Sequence, residues 1–360
     1  MSIAVAVSVS LTPEETELHL ENGRILLTEG KYSEALAHYQ AAVEADRKNY
    51  LTFFKRATVL LALGRHRAAL DDLNEVVSLK PDFLAARSQR GSLLFKMGRL
   101  QEAHIDLEWV LRLDPANQEA SQLYSLIDHV SRDIEAGYML LEDGQPVEAT
   151  VALTQALNHV PWDVRLRETR AAASEQAGDL VAAISDLRVT TKMKSDDTDG
   201  FLKLSRLHHR LGEAEESLVA IRECLKLDQD HKDCFKQYKK IKKVALQLSS
   251  MNDFAKSGSY AECVDRASAL LELDSTPAIA RAALAKKCHC LSKVRRDPRL
   301  SGTNPSFHRK ATQKPSQSAR RLSNRTNRTA TSCVIEQMRT STTRTTMQVS
   351  RRGGVHPLEI

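Results

Sequence analysis

Residues 64–81 read GRHRAALDDLNEVVSLKP, and residues 98–115 read GRLQEAHIDLEWVLRLDP. Laid glycine on glycine, the two runs agree at defined places. Ala69 and Ala103 stand five residues on, Leu73 and Leu107 nine, Pro81 and Pro115 seventeen. The glycines themselves, Gly64 and Gly98, lie 34 residues apart.

The phase extends outward in both directions. Glycine recurs at Gly30, Gly64 and Gly98, then at Gly144, Gly178 and Gly212, and again at Gly258. Within each triplet the step is 34, and the gaps 98–144 and 212–258 are both 46. A small residue follows each glycine by five: Ala35, Ala69, Ala103, Ala149, Ala183, Ser217 and Cys263. A large one follows by nine: Tyr39, Leu73, Leu107, Leu153, Leu187 and Ile221. Pro161 joins Pro81 and Pro115 at plus seventeen; proline cannot continue a helix but suits the first turn of the next. A 34-residue period is that of a tetratricopeptide (TPR) unit, two antiparallel helices that cross where only a small side chain fits. The expected fold is therefore all-α, a superhelical solenoid of helix pairs whose curved groove holds other polypeptides.

Composition agrees. Ala, Leu, Glu, Lys and Arg dominate, all good helix formers. No sustained alternation of β-branched residues precedes residue 290. Thr12, Pro13 and Glu15 make a helix start with a capping box. The 12-residue excess in each long gap predicts a first helix lengthened by about three turns, near 116–142 and 230–257, and a change of superhelix direction there. The chain then divides into an apolar segment 1–12, TPR units one to three at 13–115, units four to six at 116–229, and unit seven with a partial unit eight at 230–293. About fifteen helices are expected between 13 and 293.

Beyond residue 293 the pattern stops. Residues 294–360 hold fourteen Lys/Arg against three Asp/Glu, a charge of +11, whereas residues 1–293 hold 38 against 43, a charge of −5. This Ser/Thr/Arg-rich tail has few large apolar groups, so disorder is expected. A basic arm for nucleic acid is one reading. With Phe307 its one aromatic, it reads better as sequence unrelated to the solenoid, joined at an exon end or a frame shift.

No catalytic constellation, phosphate loop or spaced metal-ligand set is present, so neither enzyme activity, cofactor nor metal is expected. His208-His209 and the pair Asp71-Asp72 read as packed or solvated helix residues. No stretch approaches 18 apolar residues, so no membrane span is expected. On the first helices of units one to three, Leu20, Leu27, Leu51, Phe54, Leu61 and Phe95 form an apolar stripe on the inner face, a candidate groove for apolar segments. The clamp by which many TPR domains take an acidic chaperone tail needs basic and amide side chains at Leu20, Arg24, Lys55, Ala85 and Gln89. Only two of these are basic, and the clamp is not built. Cys224 ends one helix and Cys234 opens the next, within reach of a disulfide in an oxidising compartment and reduced in a cytosol. Cys288-His289-Cys290 cannot grip one ion from a helix, because residues i and i+2 point far apart. It reads as packing, with a partner for a thiol in the incomplete unit.

Several runs resemble the DnaJ-type TPR co-chaperone family of the endoplasmic reticulum, also described as inhibitors of an interferon-induced protein kinase. These are Asn49-Tyr50 with Arg56-Ala57-Thr58-Val59, Ala85-Ala86-Arg87 with Gln89-Arg90-Gly91, Trp162-Asp163 with Leu166-Arg167-Glu168, and Ala183-Ile184-Ser185-Asp186-Leu187. The run from Arg222 to Lys232 and Cys288-His289-Cys290 are the most specific. The resemblance covers about residues 15–293. It implies a luminal protein of the unfolded-protein response that holds apolar segments of unfolded polypeptides, or a scaffold that inhibits a stress-activated kinase through units four to six. The apolar start, Met1 to Leu11, fits a signal remnant; a cytoplasmic location is the alternative. Family members end in a J domain, whose His-Pro-Asp loop is absent here, since His356-Pro357 is followed by Leu358. Stimulation of Hsp70 ATP hydrolysis is therefore not expected.

Overall fold

The computed structural model describes residues 12–296. The described residues form fifteen helices, the first eight being α1 (Pro13–Thr28), α2 (Tyr32–Ala45), α3 (Tyr50–Ala62), α4 (His66–Leu79), α5 (Leu84–Lys96), α6 (Leu100–Leu113), α7 (Gln118–Glu142) and α8 (Pro146–His159). They continue as α9 (Val164–Gln176), α10 (Leu180–Met193), α11 (Thr198–Leu211), α12 (Ala214–Leu227), α13 (Lys232–Ser257), α14 (Tyr260–Leu273) and α15 (Pro277–Arg296). No strand occurs among the described residues. The lengthened helices are α7, with 25 residues, and α13, with 26. The tail expected to be disordered lies outside the described residues from 297 onward, as does the apolar start up to Leu11.

The chain divides into two compact units between Asp186 and Leu187, within α10. In each, a helix hairpin is the building block, α1 with α2, α3 with α4, and so on, each hairpin packing on the next. Helix starts are set locally. The Thr12 hydroxyl accepts the Glu15 N–H at 3.2 Å, and the Glu15 carboxylate accepts the Thr12 N–H at 2.8 Å, which satisfies donors that the first turn leaves unpaired. Asn117 caps α7 on the Ala120 N–H at 3.0 Å. Helix ends use the periodic glycines. At the end of α5, Gly98 has φ +75°, and its N–H meets the Phe95 carbonyl at 3.0 Å while the Arg99 N–H meets that of Leu94 at 2.9 Å.

The small residues five places on are all buried where the hairpin helices cross, and the large ones nine places on fill the seam beside them. Among the described glycines inside helices, close approach is tightest at Gly137, where an added Cβ would come within 2.5 Å of Leu153. In the first unit the seam runs without a break from Val43 through Ala57, Leu73, Leu107 and Val130 to Leu153 and Leu166. In the second it runs from Leu202 through Ile221, Ile241, Val244 and Leu270 to Ile279. Each buried Val, Leu or Ile of these seams contributes roughly 1.5–3 kcal/mol.

The first unit also carries a repeated polar bridge. Arg56 pairs with Asp72, Arg90 with Asp106 and Arg170 with Asp186, each by Nε and Nη2 on the two carboxylate oxygens. The free Nη1 of the same arginine reaches back to Gln40, Asn74 or Thr154, at 2.6, 3.1 and 3.0 Å. One guanidinium on a first helix thus ties the second helix of its own hairpin to that of the hairpin before. Asp72 is accordingly not the solvated helix charge expected from the sequence: its buried carboxylate holds Arg56.

Candidate functional site

The apolar stripe belongs to α1, α3 and α5. Leu20 and Leu27 are half-buried against Ala35, Tyr39 and Val59. Gly23, between them on α1, lets Tyr39 lie flat on that helix, 3.0 Å from where a Cβ would stand. On α3, Leu51 is exposed, 43% of its surface reaching solvent, while Phe54 and Leu61 are half-buried. Phe54 meets the edge of Phe83 at 5.0 Å, and Tyr50 meets the same ring at 5.2 Å. These paired rings, each from the turn or first residues of a unit, extend the stripe and were missed in the sequence. The aromatic residues just after Asn49 and Asp82 are the signal that would have found them.

Phe95 corrects the expectation. It is only 2% exposed and lies in the seam with Leu94, Leu100 and Val160. It is the penultimate residue of α5 and packs into that cluster, so its ring is core. The stripe open to a ligand is therefore Leu20, Leu27, Leu51, Phe54 and Leu61. Its chemistry is apolar burial without a charge to read sequence; Lys80, over the Tyr50 ring at 5.5 Å, is a cation at its edge. At the clamp positions, Arg24 is drawn to Glu21 on its own helix.

Two disulfides join described residues of the second unit. Cys224, near the end of α12, is bonded to Cys234 in the first turn of α13, with Cα atoms 6.4 Å apart. Cys263 of α14 is bonded to Cys290 of α15. The second corrects the reading of Cys288-His289-Cys290 as packing: Cys290 has its partner one helix back. Cys263 occupies the small-residue crossing point, and the bond forms because that position already brings the two helices together. Cys224, His231 and Cys234 have their ligand atoms within 4.8 Å of one another. Both sulfurs are spent in the disulfide, and His231 Nδ1 accepts the Cys234 N–H at 3.3 Å as the cap of α13. The cluster holds no ligand set for a metal while that bond stands.

His208 and His209 are both buried. His208 Nδ1 lies 2.6 Å from Glu213, and His209 Nε2 lies 2.6 Å from Asp274. In the first unit, His66 stacks on Trp162 with ring centroids 3.7 Å apart. Burial there, helped by the charge of Lys96, pushes the His66 imidazole below its ordinary value. Burial likewise pushes the Asp163 carboxyl up, although the N–H groups of Leu166 and Arg165 oppose it. No described helix is long and apolar enough to cross a membrane.

The tetratricopeptide repeat family model matches residues 3–50, 20–82 and 54–117, and that of anaphase-promoting complex subunit 5 matches residues 166–241. The chain is 40% identical over 283 residues to DnaJ homolog subfamily C member 3 of Gallus gallus, covering 78% of this chain and 56% of that protein. It is 29% identical over 245 residues to the tetratricopeptide repeat and J domain-containing co-chaperone DNJ1 of Cryptococcus neoformans, covering 68% and 47%. It thus spans about half the length of these curated relatives. The crystal structure of the P58(IPK) TPR domain matches with a TM-score of 0.69 and 38% identity, over 79% of this chain and 81% of that one.

Proposed function

This chain belongs to the TPR family of DnaJ homolog subfamily C member 3 and the P58(IPK) TPR domain, and we propose that it acts in a co-chaperone role, holding exposed apolar segments of unfolded or misfolded polypeptides. The observation that carries this is the partly open stripe of Leu20, Leu27, Leu51, Phe54 and Leu61 on successive first helices. Apolar side chains on one curved face gain affinity by burial, roughly 25 cal/mol for each Å² removed from water, with no demand on client sequence. The endoplasmic reticulum lumen, in the unfolded-protein response, is the proposed setting; the disulfides among the described residues suit an oxidising compartment. These 360 residues contain no His-Pro-Asp loop, and by themselves they are proposed to hold clients without stimulating Hsp70.

The test is light scattering from a thermally denaturing reporter protein. The chain is expected to suppress aggregation, and Leu51→Ser with Phe54→Ser is expected to abolish suppression while the helical circular-dichroism signal stays near that of the parent. Full suppression by a folded double variant would overturn the site. A steady-state ATPase assay with a luminal-type Hsp70 checks the second point, and several-fold stimulation would contradict it.

A further inference from the structure

The first half of α13 reads KDCFKQYKKIKK over residues 232–243, six lysines against one aspartate. Its inner face is set by Cys234, Ile241, Val244 and Ala245, which pack into the second unit. The outer face is Lys232, Phe235, Lys236, Lys239, Lys242, Lys243 and Leu246, all exposed. These positions recur every three or four residues, so they form one continuous stripe about 21 Å long. Phe235 is 47% and Leu246 63% exposed. Lys239 lies over the Phe235 ring, 4.2 Å from its centre. Among the described residues, Lys240 alone of the six pairs with a carboxylate, that of Asp274 at 3.6 Å. The other five lysines have no acidic partner there.

The repeat itself supplies a control. The second long helix, α7, sits 114 residues earlier in the same register, with Ile127 and Val130 standing where α13 has Ile241 and Val244. On its corresponding outer face it carries Gln118, Ser121, Gln122, Ser125, Asp128, His129 and Arg132. A long first helix therefore folds without a lysine stripe. Like charges three and four apart on one helix are destabilising, so the stripe is not there for the fold.

We infer that the outer face of α13 is a docking site for a short acidic polypeptide segment bearing apolar residues at its two ends. Its lysines would meet the carboxylates, and Phe235 and Leu246 would take the apolar ends. Charge complementarity selects a short segment over an extended polyanion. Residues 187–293 hold 20 Lys/Arg against 15 Asp/Glu, a charge of +5, and residues 232–243 alone supply +5, so the rest of that stretch is neutral. A duplex or an anionic bilayer would find no further net positive charge there. A segment confined to the stripe needs none, because charges beyond about 8 Å are screened at physiological salt. The site lies in the second unit and is independent of the apolar stripe on α1 and α3.

The experiment is fluorescence anisotropy of the full chain with a labelled Asp/Glu-rich peptide that has a leucine near each end and is long enough to span about 21 Å. Saturable binding that weakens with added salt is expected. Lys236→Gln with Lys239→Gln and Lys243→Gln should weaken it by tenfold or more, and the same three changed to Arg should retain it. Phe235→Ser with Leu246→Ser should weaken it at constant salt dependence. If the glutamine variant loses helicity, the corresponding glutamate variant and the single exposed change Lys239→Gln are read in the same way. Peptide binding indifferent to these lysines would overturn the inference. So would equal or tighter binding of single-stranded oligo-dT or phosphatidylserine vesicles with the same dependence on the lysines.

Discussion

His209 and Asp274, 65 residues apart in sequence, meet at 2.6 Å in the interior of the second unit. Shifted back by 114 residues, the distance between the two long-helix repeats, the same two positions are Phe95 and Val160. Both of those are buried in the apolar seam of the first unit. The third member of the polar group, Lys240, stands 3.6 Å from Asp274 and corresponds to Leu126, again in the first seam. One repeat position is thus filled by an apolar trio in one unit and by a hydrogen-bonded, charged trio in the other.

This parallel predicts a double-mutant cycle. Asp274→Val alone leaves His209 and Lys240 without their carboxylate and is expected to cost about 3–5 kcal/mol. His209→Phe with Asp274→Val, which rebuilds the pair found in the first unit, is expected to recover most of that loss. Chemical denaturation of the four proteins measures the coupling. A double variant as unstable as the sum of the singles would mean that the position does not accept the apolar solution.

The same pair predicts an acid response. Burial pushes the Asp274 carboxyl up, but hydrogen bonds from the Thr276 hydroxyl and N–H and from His209 outweigh it and hold the group below its ordinary range. A carboxylate whose folded value is depressed stabilises the fold above its unfolded value, near 3.9, and that contribution is lost as pH falls through the folded value. The melting-temperature difference between the parent and Asp274→Asn should therefore be full at pH 5 and shrink below about pH 4. Thermal scans across that window check it, and a difference constant with pH would contradict it.

The arginine bridges predict an uneven cost among ion pairs of similar geometry. The Asp106 side chain is 1% exposed and takes Arg90 on both oxygens, whereas Arg99 and Glu102 are both about half exposed. Asp106→Ala leaves two half-buried guanidiniums, Arg90 and Arg87, without their buried carboxylate, and should cost about 3–5 kcal/mol. Glu102→Ala should cost less than about 1 kcal/mol. Urea midpoints of the two variants decide between this ranking and one based on contact distance alone.

The loop glycines predict a difference between positions that look identical in sequence. Gly98 and Gly64 both have positive φ, +75° and +70°. A Cβ on Gly64 meets nothing within 4 Å, whereas one on Gly98 would overlap the Asp163 carboxylate at the start of α9. The Trp162 N–H bonds the Lys96 carbonyl at 2.9 Å beside it, so that turn has little room to retreat. Gly64→Ala should carry only the backbone strain of a left-handed alanine, about 1–2 kcal/mol. Gly98→Ala should lose measurably more. Equal melting temperatures for the two variants would contradict the contact.

Much of the fold was legible because a helix pair needs the same few residues at the same few places. The 34-residue phase of Gly64, Ala69 and Leu73 gave away the hairpins, and the two 46-residue gaps gave away α7 and α13. The arginine bridges were equally periodic, with Arg56, Arg90 and Arg170 eight residues before a loop glycine and Asp72, Asp106 and Asp186 eight after. They went unread because a charged residue on a helix ordinarily faces water.

What the sequence by itself determined about this protein is the repeat: helix number, the two long helices and the crossing points. All follow from local backbone preferences and from side-chain size at a fixed spacing. Only the tertiary structure decided which first-helix apolar residues stay open. Leu51 and Phe95 have similar character and lie on corresponding helices, yet one is on the surface and the other in the seam. It also decided that Cys290 pairs with Cys263, and that His209 finds Asp274. Exposure and pairing depend on what the neighbouring hairpin places against a residue, and that information is 16 to 65 residues away in the chain.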